Sequence, residues 1–311
     1  MVWKGVRHLM DLYFAGAEAF SDIVAEEKVN ILISYYYAKK KIDSLLERDF
    51  KGKLFVDSGA FTAWTNHVTI DVDEYCDWIN KYRDHLHLFG QIDSIPGEID
   101  STPTKEQVNE AAEKTWENYL YMRSKVTRPE GLLYTFHVGE PFKYLKQALE
   151  WRDENGNPIP YIALGGMVRK TYTVKENFLT RCFEVIKASS NPNVKVHAFG
   201  MTSFDLLDKY PLASADSTSW IMTGANGGIA TDIGVIGVSE NQSNMMEHYS
   251  HLPEKYLTDF NSKLAKYGFD ADTLGKDYKA RLRYHLRYFK NKCDNIPHMS
   301  IDDFKVTRKL F

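Results

Sequence analysis

A chain of 311 residues, 43% hydrophobic and 26% charged, can bury one large core or two small ones, and its content is that of an ordinary globular protein. Its three cysteines, Cys76, Cys182 and Cys293, are far apart and odd in number, which excludes a disulfide framework and a cysteine-built structural zinc site. The formal net charge of -3 does not mark a nucleic-acid binder, although a total says nothing of local patches.

No run approaches the roughly 18 apolar residues of a membrane span. Residues Met1 to His8 lack a signal peptide's apolar stretch, so the expected compartment is the cytoplasm and no membrane partner is expected. In chain order, Val29 to Ser34 reads as a first buried strand, with a helix from Lys39 to Asp49 behind it. The second strand, Leu54-Phe55-Val56, delivers Asp57, Ser58 and Gly59 at its end. A helix capped by Asp71 or Asp73 leads to the third strand, His87 to Asp93.

The polar, punctuated stretch from Ser94 to Pro103 reads as a long loop before a helix from Thr104 to about Lys125. A fourth strand from Gly131 ends in His137, and the helix Pro141 to Trp151 follows. The fifth, Tyr161 to Leu164, ends in Gly165-Gly166 before a helix from Lys175 to Lys187. The sixth, Val194 to Phe199, ends in Gly200 before a short helix, Ser203 to Lys209. The seventh runs from Pro211 to Asp216, and an eighth is expected around Ile233 to Val238.

Eight strand signals alternating with helices predict an α/β fold, a (β/α)8 TIM barrel over residues 1–239. Residues 240–311 read as a helical appendage packed on the barrel, with Pro253 to Lys266 and Leu274 to Lys292 its clearest helices.

In a parallel barrel the strand ends ring one cavity, so Asp57, Asp93, His137, Gly165, Gly166, Gly200 and Asp216 are expected to converge. Helix capping accounts for any single Asp-Ser step after a strand. The threefold recurrence at Asp57-Ser58, Asp93-Ser94 and Asp216-Ser217 points instead to one site. Three carboxylates in an apolar mouth cannot all ionise freely, so one is expected to hold a proton while another stays charged. That pairing suits cleavage of a glycosidic bond.

A metal is not expected, because the acids and His137 lack the usual metal-binding spacings, and no nucleotide cofactor motif is present. Phe61 and Phe199 flank strand ends and can sandwich a planar base, or else are core aromatics. Lys276, Lys279, Arg283, Arg287 and Lys290 recur at steps of three and four as a basic stripe, opposite Tyr278, Leu282, His285 and Phe289. Such a helix is expected to present its cations outward to phosphates.

These motifs, in this order, resemble the queuine (guanine) tRNA-ribosyltransferases, and particularly their shorter phage relatives that act as DNA-guanine transglycosylases. Val56 to Phe61 is similar to the family's Asp-Ser-Gly-Gly-Tyr/Phe-Gln motif, Ile92-Asp93 to its guanine-reading acid, and Leu164 to Met167 to its Gly-Gly-Leu element. Phe199-Gly200-Met201 resembles the segment closing the other face of the base, and Ala215-Asp216-Ser217 the step that carries the nucleophile.

The family's zinc cysteines are absent, Ala60 and Thr62 replace Gly and Gln, His137 stands where a Gln commonly helps read the base, and the Thr-Gly-Ala-Asn-Gly run from Thr223, which falls where the family has Thr-Arg-x-Gly-Arg-x-Gly, lacks its arginines. The resemblance therefore implies a zinc-free DNA-modifying form, in the host cytoplasm if phage-encoded. It implies exchange of guanine in DNA for a free 7-deazaguanine such as the 7-cyano form, with no cofactor. Asp216 is implied as nucleophile and Asp57 as proton manager, with Asp93, Ser58, Phe61, His137, Gly165, Gly166, Met167 and Phe199 around the base. The alternatives are tRNA-guanine exchange of the queuosine pathway and a non-catalytic base-binding subunit; an oligomer is compatible with each.

Overall fold

Short apolar runs that end in glycine or a polar residue form the staves of a closed parallel barrel. The computed structural model describes residues 10–39, 41–48, 50–201, 203–241 and 247–305. Its staves, in order round the barrel, are β1 (Asp11–Ala15), β2 (Asn30–Ser34), β3 (Leu54–Asp57), β4 (Leu86–Gly90), β5 (Leu132–His137), β6 (Tyr161–Gly165), β7 (Lys195–Ala198) and β8 (Ser214–Ser217). β8 closes on β1 with Tyr13 opposite Asp216. This is a (β/α)8 TIM barrel with further helices at its C-terminal end.

Alternation along each strand divides the core in two. Tyr13, Ala15, Leu32, Phe55, Leu88, Leu133, Tyr161 and Ala163 fill the barrel interior, while outward residues such as Phe14, Ile31, Val56, Tyr134 and Val196 meet the surrounding helices. Some of the helices begin where the sequence supplies a side-chain cap. Asp71 accepts from the Glu74 N–H, and Thr104 with Gln107 forms a capping box at the head of Lys105–Lys125.

Three expectations need correction. The first stave is Asp11–Ala15, so the strand expected first is β2. The stretch expected as the eighth lies in an antiparallel hairpin outside the barrel, β9 (Gly228–Thr231) with β10 (Gly234–Gly237). Ile233 and Val235 are exposed there at 68% and 44%, a face that no barrel stave could leave bare. The helix expected from Leu274 to Lys292 is two helices, Ala271–Lys276 and Tyr278–Asp294. Asp277 breaks the run by turning its side chain to accept from the Lys279 N–H.

The helix Tyr278–Asp294 packs outside β1, against the helices Ser21–Glu27 and Ser219–Ala225. His285, fully buried on it, meets the Trp220 carbonyl through Nδ1 and accepts the Ala230 N–H at Nε2, which fixes one neutral tautomer. Burial pushes its pKa down to about 3.

Candidate active site

The C-terminal ends of the staves bring the expected acids to one mouth. Asp57 is the last residue of β3, its Oδ2 accepting from the Gly59 N–H at 3.0 Å. Burial pushes the Asp57 carboxyl up to about 7, with the negative charges of Asp93 and Asp216 adding to the shift. Both other acids therefore act on its proton.

Asp93 lies three residues beyond the end of β4. The segment is pinned by the Asn118 side chain on the Ile92 carbonyl and by Thr115 Oγ1 accepting from the Ser94 N–H. Gln91 Nε2 donates to Asp93 Oδ1 at 3.1 Å, and His137 Nε2 faces Oδ2 at 3.3 Å. Glu140 grips the same histidine from the other side, with Oε1 at 2.9 Å from Nδ1 and Oε2 accepting from its backbone N–H.

Burial works against a charged His137 ring, yet the carboxylates of Asp93 and Glu140 outweigh it and hold the pKa well above the ordinary histidine value. The imidazole is thus a cation between two acids. A Cβ on Gly165 would stand 2.7 Å from His137 Cδ2, so the flat ring lies directly on the β6 backbone and only glycine leaves room for it.

Asp216 is buried in β8 at 6% exposure. Its Oδ1 accepts from the Gly200 N–H at 2.9 Å and meets His197 Nε2 at 3.2 Å, while Oδ2 has no hydrogen bond among the described residues. Behind it a buried chain continues from His197 Nδ1 to Ser214 Oγ and on to the Tyr161 hydroxyl, each contact 2.7 Å. One oxygen is anchored and the other is left for chemistry.

The remaining expected residues divide. Gly166 is exposed at the rim with φ +73, whereas Met167 and Ser58 are buried at 0% and 1%. Ser58 Oγ accepts from the Ala60 N–H and Ser217 Oγ from the Ser219 N–H, so these serines serve their turns, as capping alone would require. Phe199 packs on Phe55 and His197 at 5.6 and 4.6 Å between ring centroids. Phe61 is 64% exposed beside Trp64, and no ring contact joins it to Phe199.

The basic stripe lies on the outer face, but its charges are taken. Lys279, Arg283 and Arg287 pair with Asp22, Glu26 and Glu27 of the helix Ser21–Glu27, and Lys276 and Lys290 pair with Asp272 and Asp294. The first three pairs form an ionic seam between helices and the other two lie within a helix, in place of the expected row of free cations.

Sequence reasoning did not single out Glu140, Gln91 or His197. His197 had a usable signal, because it stands two residues before Phe199 in one strand and shares its inward face. No protein-family model matches the chain, and no curated protein matches it. Among the described residues, no group of three or more His, Cys, Asp or Glu is arranged to hold a metal ion, and no helix is long and apolar enough to cross a membrane.

Proposed function

We propose that the chain is a base-exchange transglycosylase that replaces guanine in DNA with a 7-deazaguanine through a covalent Asp216-sugar intermediate. The observation that carries this reading is the convergence of three acids in different states. The pKa of Asp57 is raised to about 7, Asp216 is anchored through one oxygen with the other free, and Asp93 is held against His137, whose pKa is raised well above the ordinary histidine value. The order of motifs resembling the guanine transglycosylases supports the choice of base.

In the first step the free oxygen of Asp216 bonds to the anomeric carbon as the glycosidic bond breaks, and the departing guanine takes the Asp57 proton. In the second, the incoming base gives its ring N–H proton to Asp57 and its nitrogen displaces Asp216, so the two inversions restore the original β linkage. Asp93 and the backbone at Gly165-Gly166 face the base, which must leave the stack to enter the mouth.

Denaturing electrophoresis of enzyme incubated with DNA tests the nucleophile. The wild-type chain is expected to give a slower covalent band that Asp216→Asn lacks while remaining folded. A persistent band in that variant overturns the assignment. Labelled guanine, offered with DNA or with tRNA to the purified single chain, is expected to enter DNA. Entry into tRNA favours the queuosine-type reaction, and entry into neither favours a base-binding subunit.

A further inference from the structure

The paired stripe on the helices Ala271–Lys276 and Tyr278–Asp294 leaves open what would hold a polynucleotide's phosphates, and the loop after β6 supplies an answer. Arg169, Lys170 and Lys175 lie within nine residues after Gly165-Gly166. Among the described residues none of the three side chains has an ion pair, hydrogen bond or ring contact. Arg169 and Lys170 are exposed, and Lys175 is half-buried in the first turn of the helix Tyr172–Lys187. Acids, by contrast, line the mouth itself at Asp57, Asp93, Glu140 and Asp216.

This loop also reaches the nucleophile. A Cβ on Gly200, at φ +62, would lie 2.5 Å from Val168 Cγ2, and the Gly200 N–H is the one that anchors Asp216. Arg169 has φ +61, a left-handed backbone that a side chain as large as arginine rarely adopts. Its neighbours Val168 and Tyr172 are exposed at 63% and 47%, offering apolar surface beside the cations. The positive end of the 16-residue helix that begins at Tyr172 points to the same place.

We propose that the 167–175 loop is the phosphate clamp of this enzyme: Arg169, Lys170 and Lys175 hold the backbone of the polynucleotide strand that flanks the extruded base, and Tyr172 offers a stacking face to a neighbouring base. The proposal rests on the base-exchange reading and adds to it where the strand lies. Placement of the cations outside an acidic mouth lets the backbone stay on the rim while the uncharged base passes among the carboxylates.

The test is binding of a fluorescent single-stranded DNA oligonucleotide, followed by anisotropy from 50 to about 300 mM salt. The combined variant Arg169→Asn, Lys170→Gln, Lys175→Gln keeps a residue that tolerates the left-handed backbone at position 169. It is expected to bind tenfold or more weakly at the lower salt, with the slope of log affinity against log salt reduced by about 2, since each phosphate contact on a single strand contributes ~0.7. The control Lys276→Gln, Lys290→Gln is expected to bind as the wild type does.

Wild-type affinity and slope in a folded combined variant overturn the clamp and leave the base-exchange reading standing. A wild-type chain that binds neither DNA nor RNA overturns both. Lys170→Arg with Lys175→Arg retains the charge and is expected to keep the slope, which separates loss of charge from damage to the loop.

Discussion

At Asp57 a single titration is tied to both stability and chemistry. Its carboxyl binds a proton more tightly in the folded chain, at about 7, than in the unfolded one, near 4. The stability this contributes is complete below the unfolded value and is lost as pH rises through about 7. Asp57→Asn is therefore expected to be more stable than the wild type at pH 8, by on the order of 4 kcal/mol in urea unfolding, with the difference gone near pH 4. It is expected to lose base exchange, whose rate in the wild type declines above pH about 7. Equal stability of the two proteins at pH 8 would contradict the shift.

Gly165→Ala probes the next contact. The new methyl meets His137 at 2.7 Å, so the ring must leave Asp93 or Glu140, and a cost of roughly 1–3 kcal/mol in stability is expected with a larger loss in activity. His197→Leu strips Asp216 and Ser214 of a partner inside the barrel. A destabilisation of about 1–3 kcal/mol is expected, read as a lower denaturation midpoint.

At the scale of elements, the legible features were those with a local cause. The caps at Asp71 and Thr104, the helix Phe142–Glu150 and the glycine at the end of β6 depend on neighbours in sequence, and all can be read there. The stripe was legible as a pattern but not as a function, because a helix face carries no sign of what packs against it. Arg287 meets Glu27 through two nitrogens at 2.7 and 2.8 Å, a fork geometry stronger than a single contact. A double-mutant cycle with Arg287→Ala and Glu27→Ala is expected to show a coupling of about 0.5–1 kcal/mol that shrinks as salt is added.

For the whole molecule, the last helix is part of what closes the barrel. It covers β1, and His285 joins the Trp220 carbonyl to the hairpin at Ala230, while the Trp220 indole donates to the Ala15 carbonyl at the end of β1. A chain ending before Tyr278 leaves that apolar face open and is expected to give no cooperative unfolding transition in calorimetry, where the full chain gives one.

By itself the sequence determined the alternation of strands and helices, the (β/α)8 class, and the acids at strand ends, because periodicity and turn chemistry act over a few residues. It could not tell β1 from the 233–238 stretch. Both are short apolar runs, and pairing with β2 and, across some 200 residues, with β8 is what makes Asp11–Ala15 a stave. Only the tertiary structure decided the states of the acids. The proton on Asp57 comes from burial and from charges far away in the chain, the cation at His137 from two carboxylates meeting on one ring, and the anchored oxygen of Asp216 from a histidine inside the barrel. Each is an electrostatic effect of closeness in space, which spacing along a chain does not record.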